Sequence, residues 1–476
     1  MKKYIYSIVA ATALFASCSQ DAELNEIGNT DSKAITTIGA STENSTRAIV
    51  SSTDNTKVNW EDGDQLGVLG TNGSSDKNLA YTLNSGSGTT NGIFQNGSSD
   101  ITAISAIMYP YQENATWADS KLTCEIPSVQ TAVNGSFDKA AAIMYSIGNT
   151  TDVQLNYAVN FLKITIGSLD ANIHSITISS PSTQLSGRAE VTTSGVAAVS
   201  GQSLKSVTLS AGKNKTFETG DYYIAVMTGN IVTPTISIIR YENGHTAKEY
   251  AKAGRGNLVF ASGNNVKPIT VDFKSLSATG REAVQLWENG TYWATFNVGA
   301  TTPEESGKYY AWGDIVGQTF NGSWSGGGFN SVPTLVPANP SVLPLYYDAA
   351  AANWNTAWRM PTGGWDEEAD FEFNALKTNT NYTIDNNYHS MQVYGLKLTG
   401  KDSYSDITLF MPAAGNGHHS TFYDNGSIGD YWSNTLNPEE TKCACHLFFN
   451  RDGAFNPPSK DSERFRGFTV RAVLAD

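Results

Sequence analysis

Short runs of alternating apolar and polar residues recur through the first 273 residues, and they limit the folds open to this chain. In one run, 160–166, Leu162, Ile164 and Ile166 occupy alternate positions. A period of two is typical of a strand with one buried face. Similar runs cover 101–109, 173–179, 222–228, 231–239 and 266–273. Because Gly-, Asn- and Ser-rich turns separate the runs and no long helical pattern intervenes, the sequence predicts stacked sheets, that is, β-sandwiches.

Composition agrees with an exported, β-rich protein and excludes one class of partner. Of the 476 residues only 16% are charged and 11% are aromatic, and the net charge is −14 at pH 7. A length of this order suggests about two to four domains. An acidic chain without a basic cluster repels phosphate backbones, so we expect no nucleic-acid partner.

The N-terminus predicts the compartment. Lys2 and Lys3 precede an apolar stretch, 4–16, that is too short to span a bilayer comfortably. Two small residues then lead to Cys18, which resembles a bacterial lipobox in which residues 1–17 are removed and Cys18 is lipidated. Phe15 stands where such a motif usually has Leu, so an ordinary signal peptide is the alternative. Acidic residues after Cys18 resemble a surface-export signal, and together these features predict a lipoprotein anchored in the outer membrane and exposed at the surface.

Residues 18–47 are polar and lack an apolar face, so we interpret them as a tether or propeptide. A Thr-Arg-Ala step at 46–48 ends this segment, and a Trp-x-x-Gly-Asp-x-Leu-Gly-Val turn follows at 60–68. With the lipobox, these features resemble the fimbrillin-like (Mfa-like) family, subunits of lipoprotein-derived pili of Gram-negative anaerobes. The resemblance covers about residues 1–273.

The resemblance implies two all-β sandwiches of Greek-key, transthyretin-like topology, at 48–150 and 151–273, with a polar linker at 274–281. It also implies that a trypsin-like protease cuts between Arg47 and Ala48. That cut removes the anchor and the first strand, and a strand of another pilin subunit fills the groove by donor-strand exchange. The alternative is an uncut loop arginine in a lipoprotein that does not polymerise.

The remaining residues, 282–476, have a different texture, since eight of the ten tryptophans lie beyond residue 280. Six motifs occur there in order, at 287–300, 303–314, 357–362, 409–415, 430–434 and 466–473. They resemble the Fibrobacter succinogenes major paralogous domain, whose fold is similar to C-type lectins and to formylglycine-generating enzymes. The resemblance implies an α+β, C-type-lectin-like domain with long loops. Short helices are expected near 348–354 and 367–376.

Within the 357–362 motif, Trp358, Arg359 and Pro361 have two interpretations. They could line a binding groove. The favoured interpretation is a scaffold, in which the tryptophan is buried, the arginine pairs with an acidic group and the proline fixes the exit of the chain.

A ligand-binding surface is predicted on the loops after residue 415, where aromatic rings lie among polar residues. Aromatic faces with flanking carboxylates and amides suit a sugar ring. The alternative is an exposed loop without a ligand. The candidate residues are His418, His419, Tyr423, Asp424, Tyr431 and Trp432.

A calcium site is a second candidate, because lectins of this fold bind sugar through a calcium ion held by oxygen ligands. Asn437 and Glu439 flank a proline, and Asn450 and Asp452 follow on a later strand. The alternative is a polar turn and a hairpin tip. No other cofactor is expected.

No catalytic set stands out, so we predict that the chain is not an enzyme. Formylglycine-generating relatives need a cysteine pair that binds copper, whereas Cys443 and Cys445 are separated by one residue and are better interpreted as semi-buried thiols on one strand face. The sequence therefore predicts a tip or minor fimbrial subunit that binds a glycan or a host or bacterial surface protein. A surface lipoprotein that binds glycan or matrix without polymerising is the alternative.

Overall fold

The chain folds mainly into β-strands, as its alternating pattern predicted. The computed structural model describes residues 33–42, 59–168, 170–261, 265–364 and 371–475. Within these residues the strands form sheets of eight, three, nine, four, three, two and three strands. The expectation of a multi-sheet β fold is confirmed, whereas a lectin-like C-terminal domain stays a prediction.

The front of the chain contributes eleven strands, eight of which form one sheet in the order β10-β1-β4-β3-β2-β5-β9-β11. The strands are β1 (Thr37–Ser41), β2 (Gln65–Thr71), β3 (Asp76–Ser85), β4 (Asn91–Gln95), β5 (Ala103–Tyr109), β6 (Thr116–Ala118), β7 (Lys121–Ile126), β8 (Val129–Thr131), β9 (Met144–Ile147), β10 (Asp152–Gln154) and β11 (Asn156–Tyr157). Strand β5 matches the run predicted at 101–109. Trp60 of the turn motif is fully buried against Phe94 and Tyr109, with ring centroids 4.9 and 5.1 Å apart.

Strand β1 corrects the interpretation of 18–47 as a tether, because it lies inside that segment. It pairs antiparallel with β4 and parallel with β10, and it buries Ile38 and Ala40 in the front core. Its sequence, Thr-Ile-Gly-Ala-Ser, carries a single large apolar side chain. An alternation that weak does not stand out in a polar segment, so only the family resemblance implied a strand before Arg47.

Nine further strands follow: β12 (Val159–Ile166), β13 (Ile173–Ser179), β14 (Ser186–Thr192), β15 (Gly195–Leu204), β16 (Ser206–Ser210), β17 (Gly220–Met227), β18 (Thr235–Glu242), β19 (Thr246–Ala253) and β20 (Val266–Ile269). Two of them pair with strands of the front: β14 lies antiparallel to β7, and β16 lies parallel to β8. The regions predicted as separate sandwiches, 48–150 and 151–273, therefore share sheets.

The C-terminal region contains twelve strands and two short α-helices. They are β21 (Ser277–Gln285), β22 (Tyr292–Ala294), α1 (Ala349–Asn353), β23 (Trp358–Arg359), α2 (Glu372–Asn379), β24 (Asn381–Tyr388), β25 (Val393–Thr399), β26 (Thr408–Pro412), β27 (Asn416–His418), β28 (Thr421–Tyr423), β29 (Ile428–Leu436), β30 (Cys443–Asn450), β31 (Phe455–Glu463) and β32 (Val473–Leu474). Short 3-10 helices cover Lys139–Ala141, Phe273–Ser275, Leu345–Tyr347 and Asp402–Tyr404. The first α-helix lies inside the predicted 348–354, and the second overlaps the end of 367–376.

The segment 274–281, expected to be a linker, holds the start of β21. This strand pairs with β19 on one side and β22 on the other, so one nine-stranded sheet runs from β8 to β23. The first residues of β21 are exposed, which agrees with their small, polar side chains. Small, polar residues are also typical of linkers, and the segment was predicted to be one for that reason.

A buried carboxylate ties this sheet to the C-terminal region. Glu249 of β19 is 1% exposed and accepts hydrogen bonds from Asn355 Nδ2, Thr279 Oγ1 (2.9 Å) and Arg281 Nη1 (2.7 Å). A buried charge of this kind is stable only when it is fully paired. The three donors come from β21 and the loop before β23, so the network holds those elements against β19.

The 357–362 motif acts as the predicted scaffold. Trp358 is fully buried, and Arg359 makes a two-pronged ion pair with Glu372 through Nη1–Oε2 (2.7 Å) and Nη2–Oε1 (2.8 Å). Burial opposes ionisation of Glu372, yet Arg359 holds the pKa of that carboxyl below its usual value. The next residue, Met360, donates its backbone N–H to the buried Asp348, which also caps α1. The expectation that this motif lies inside is confirmed, whereas its distance from a binding surface stays a prediction.

Candidate functional site

Three of the six predicted ligand residues lie on one small hairpin, formed by β27 and β28, and Asp424 follows it directly. Its register pairs His418 with Thr421, which leaves a two-residue loop of His419 and Ser420. His419 has a φ of 53°, in the left-handed region. Two-residue hairpin loops with a positive φ at the first central position normally have Asn, Asp or Gly there. A histidine is therefore present at a position where its backbone is strained.

Backbone bridges hold the hairpin from two sides. His419 and Phe329 exchange N–H to O bonds of 2.9 Å, and Gly417 and Gly467 exchange bonds of 2.8 Å. The Phe329 ring packs directly on both glycines, where an added Cβ would lie within 2.4 Å of the ring. Only glycine permits that approach, so the base of the hairpin is fixed by close packing.

An aromatic cluster supports the hairpin from below. Trp324 is buried and contacts Phe329 and Phe422 with centroid distances of 5.0 and 5.3 Å. Its indole N–H donates to the carbonyl of Thr421 at 3.3 Å. Tyr309 packs on the same rings and donates to the carbonyl of Ala414 at 2.6 Å. The hairpin is thus supported by a small core of its own.

Three rings meet on the outer side of the hairpin. His418 and His419 lie 4.3 Å apart, and each lies about the same distance from Phe465, at 5.4 and 5.5 Å. Tyr423 extends the group at 6.2 Å from His418 and is 44% exposed. We call these four residues the histidine platform. Phe465 was not predicted as a site residue, because its one sequence signal is its place just before the 466–473 motif.

Charge around the platform is nearly balanced. Burial, with Arg466 and His419 nearby, lowers the pKa of His418, and Glu463 acts in the opposite direction. Arg466 Nε and Glu463 Oε2 lie 3.8 Å apart and are partly exposed. His418 is therefore a neutral ring at neutral pH, beside an ion pair that offers both donors and acceptors.

His419 is fixed in orientation by one side-chain contact. Its Nδ1 lies 3.2 Å from Asn330 Oδ1, while Asn330 Nδ2 donates to the carbonyl of Gly327. Since the amide nitrogen is the donor to Gly327, the amide oxygen is the acceptor from His419. In a neutral ring this leaves Nε2 as a hydrogen-bond acceptor.

Two of the six predicted ligand residues are core residues, and their assignment to a binding surface is wrong. Tyr431 and Trp432 are fully buried; the tyrosine hydroxyl donates to Pro412 O at 2.7 Å and the indole donates to Tyr310 O at 2.8 Å. They lie on β29, a strand buried almost throughout. Asp424 is exposed and follows Tyr423 with a φ of 57°, so it stays beside the platform.

The calcium candidates do not come together. Asn437 Oδ1 accepts from the backbone of Glu439 (2.9 Å), and Asn450 Oδ1 accepts from the backbone of Asp452 (3.0 Å). The two groups lie at opposite ends of β30, roughly 20 Å apart at strand spacing. One ion cannot bind both, so the predicted site is corrected to a polar turn and a hairpin tip. Across the described ranges, no three His, Cys, Asp or Glu side chains gather as a metal site.

Cys443 and Cys445, also on β30, are buried thiols. The predicted strand and burial are both observed.

A second candidate site is the place that β1 occupies in the front sheet. Gly39 donates to Thr151 O at 2.8 Å on one side, and Thr42 donates to Thr90 O at 3.0 Å on the other. A cavity of about 180 Å³ lies beside the strand, partly lined by Ser41 and Asp152. If β1 leaves, β4 and β10 are left with unpaired backbone groups facing each other.

Cys18, Arg47 and Ala48 lie outside the described residues. In the part of the chain that the structure does describe, no helix combines the length and the apolar character needed to cross a bilayer.

Comparisons with known proteins give weak similarities only. No protein-family model matches the chain, and no curated protein sequence matches it. A candidate cell adhesion protein from Bacteroides ovatus overlaps 52% of this chain and 96% of its own, with 12% identity and a TM-score of 0.32. A second, from Parabacteroides distasonis, overlaps 52% and 95%, with 10% identity and a TM-score of 0.24. A leucine-rich repeat protein from Bacteroides thetaiotaomicron overlaps 50% and 26%, with 8% identity and a TM-score of 0.14. Overlap at this level carries no argument about function, which must come from the chain's own residues.

Proposed function

We propose that the protein is a cell-surface adhesin that joins a fimbria as a tip or minor subunit. It is made as a lipoprotein, anchored to the outer membrane through Cys18, and it is cut between Arg47 and Ala48. A strand of another pilin subunit then replaces β1 in the front sheet. The C-terminal region binds a glycan or a surface protein.

The observation that carries the proposal is the position of β1. This strand lies between β4 and β10 and precedes Arg47 in the chain. A cut after Arg47 therefore separates β1 covalently from every element that follows. Only two of its side chains, Ile38 and Ala40, are buried. The cut would leave a strand held by few contacts over a groove that accepts any strand of similar shape.

The C-terminal residues support an accepting rather than a donating role. Residues 470–475 are all buried, and Val473 pairs with both Trp293 and Arg359. A strand built into the nine-stranded sheet is not available to fill a groove in another subunit.

Processing at Arg47 provides the main test. Arg47→Ala should leave the protein at its unprocessed size and lower its incorporation into isolated fimbriae at least about tenfold, since β1 stays attached. Arg255→Ala is the matched control, because Arg255 is exposed and, like Arg47 in the sequence, stands beside small residues. Its size and incorporation should equal those of the unmodified protein.

Two outcomes would refute the proposal. If the Arg47→Ala protein enters fimbriae at the normal level, strand exchange at this groove is not how the subunit assembles. If the unmodified protein is never cut and never found in fimbriae, the chain is a surface lipoprotein that binds without polymerising. Replacing Cys18 with Ala, combined with lipid labelling, tests the anchor separately.

A further inference from the structure

His419 keeps a strained backbone that glycine would relieve. Its φ of 53° at the first central position of a two-residue loop is a place where Gly has no steric cost. The loop nonetheless carries an exposed imidazole, fixed through Asn330. Backbone strain that the surrounding structure maintains is typical of functional sites. At His419 the strained backbone and the anchored, exposed ring therefore occur together.

The ring is also held rigidly with its neighbours. Paired backbone bonds to Phe329 fix the loop, and the exchange between Gly417 and Gly467 fixes the strand beneath it. His418, His419 and Phe465 lie within 5.5 Å of one another and are tilted by 29 to 39°. A surface that needs no reordering loses little entropy on binding, which favours even a small ligand.

The chemistry of the platform combines apolar ring faces with a polar rim. The rings are partly exposed, and the rim has the polar Nε2 edge of His419, the Arg466 and Glu463 pair, and the exposed Asp424. A protein partner would need a much wider surface, because a stable interface buries about 800 Å² on each side. A pyranose has one face of C–H groups, which packs on a ring, and an edge of hydroxyls, each of which can donate and accept.

We infer that the histidine platform binds a neutral hexopyranose, with the sugar's C–H face on His419 and Phe465 and its hydroxyls on the rim. Arg466 does not select an acidic sugar, because Glu463 offsets its charge. This inference rests on the proposed adhesin function and names the class of ligand. It requires no metal ion, since the oxygen ligands expected for calcium are divided between the two ends of β30.

Saturation-transfer NMR on the full-length protein tests the inference. The probes are the methyl β-pyranosides of galactose, glucose and mannose and, as the acidic comparison, methyl β-glucuronide. At least one neutral sugar should receive saturation, strongest at the ring C–H protons of one face. His419→Gly and Phe465→Ala should each weaken binding about fivefold, the scale of a single aromatic contact.

The variants separate binding from folding. His419→Gly suits the loop conformation, so its melting temperature should not fall. Tyr382→Ala is the matched control, because Tyr382 is 40% exposed and lies on β24, away from the platform; it should bind as the unmodified protein does.

Three results would overturn the inference. In the first, no neutral sugar receives saturation. In the second, only the glucuronide binds. In the third, the His419→Gly protein binds the sugar as well as the unmodified protein does. Its failure is distinct from failure of the proposed function, because incorporation into fimbriae depends on Arg47 and β1. A protein that enters fimbriae normally and binds no sugar removes the ligand assignment only.

Discussion

The first and last described strands differ in how firmly the fold holds them. Strand β1 buries Ile38 and Ala40 and exposes the rest of its length in part. Strand β32 lies in a run, 470–475, in which every residue is buried. Burial of an isoleucine side chain contributes about 1.5–3 kcal/mol. Few buried side chains therefore hold β1 in its sheet, whereas β32 cannot leave without opening the core.

Under the proposed strand exchange, this difference would link structure to assembly. An element that must be replaced has to be held well enough to fold and loosely enough to exchange. Backbone pairing on both sides gives β1 its place, while its small side chains limit the cost of removal. The nine-stranded sheet that contains β32 instead joins the C-terminal region to the rest.

The largest expected effect is on the β32 side. Val473→Asp places an unpaired carboxylate in the core and should lower the free energy of unfolding by more than about 4 kcal/mol. Val316→Asp is the control, because Val316 is 70% exposed, and it should change stability by less than about 0.5 kcal/mol. Urea denaturation followed by tryptophan fluorescence measures both. Similar, small losses in the two variants would mean that β32 is not anchored as described.

Part of the fold could be predicted from the sequence. The strand runs at 160–166 and 173–179 and the scaffold role of Trp358 were clear, since alternation and an apolar ring beside a proline have few interpretations. Tyr431 and Trp432 were misplaced because β29 is buried on both faces, and such a strand has no alternation to indicate its inner side.

The missing residues of the candidate site have physical explanations too. Phe465 reaches the platform only through the long-range bridge between Gly417 and Gly467, which no local pattern encodes. The calcium site was predicted from the order of its residues along the chain, but the length of β30 separates the two groups of candidate ligands. His418 and His419 stand out as candidates because paired histidines in a polar loop are conspicuous in any sequence.

The second prediction concerns pH and the scaffold next to β32. Asp348 is fully buried, and burial raises its pKa from 3.8 to about 6 despite three backbone donors. The folded state therefore favours the neutral acid: its contribution to stability is full below about pH 4 and is lost as pH rises through about 6. The difference between 3.8 and about 6 corresponds to about 3 kcal/mol.

Asp348→Asn isolates that contribution, because an amide does not titrate. The stability of the variant relative to the unmodified protein should rise between about pH 4 and about pH 8 by up to about 3 kcal/mol. The loss of one acceptor for Met360 or α1 adds a constant offset. Denaturation curves at several pH values measure the difference. A difference independent of pH would show that Asp348 stays ionised in the fold.

A smaller effect is expected for Ile38→Val in β1. Removing one buried methylene should cost about 1 kcal/mol, and the Gly39 amide, bonded to Thr151 O, should exchange with solvent about fivefold faster. In the unmodified protein this amide should already exchange much faster than that of Ala475, which bonds to Ala357 O. Hydrogen exchange read by NMR or mass spectrometry measures both amides.

The control for that prediction lies opposite in the same sheet. Ile93 pairs with Gly39 in the register of β1 and β4 but is 40% exposed, so Ile93→Val should leave the Gly39 exchange rate nearly unchanged. Equal exchange of the Gly39 and Ala475 amides would contradict the difference between the two strands, whatever the variants do.

The smallest effect tests whether the outer side of β1 is loose. Gly39 has no positive φ, and a Cβ there would lie 3.1 Å from Asp152 Oδ1, an exposed carboxylate that can move. Gly39→Ala removes freedom from the unfolded chain, which typically stabilises by about 0.4–1 kcal/mol, so the net gain should be about 0.5 kcal/mol or less. The gain should appear as slower exchange of the β1 amides.

Gly92→Ala, across the pair from Ala40, should instead destabilise by about 1–3 kcal/mol, since its Cβ would lie 2.8 Å from Leu83 and Trp60. A loss in Gly39→Ala as large as that in Gly92→Ala would mean that both faces of β1 are tightly packed, and the strand would then be no easier to exchange than β32.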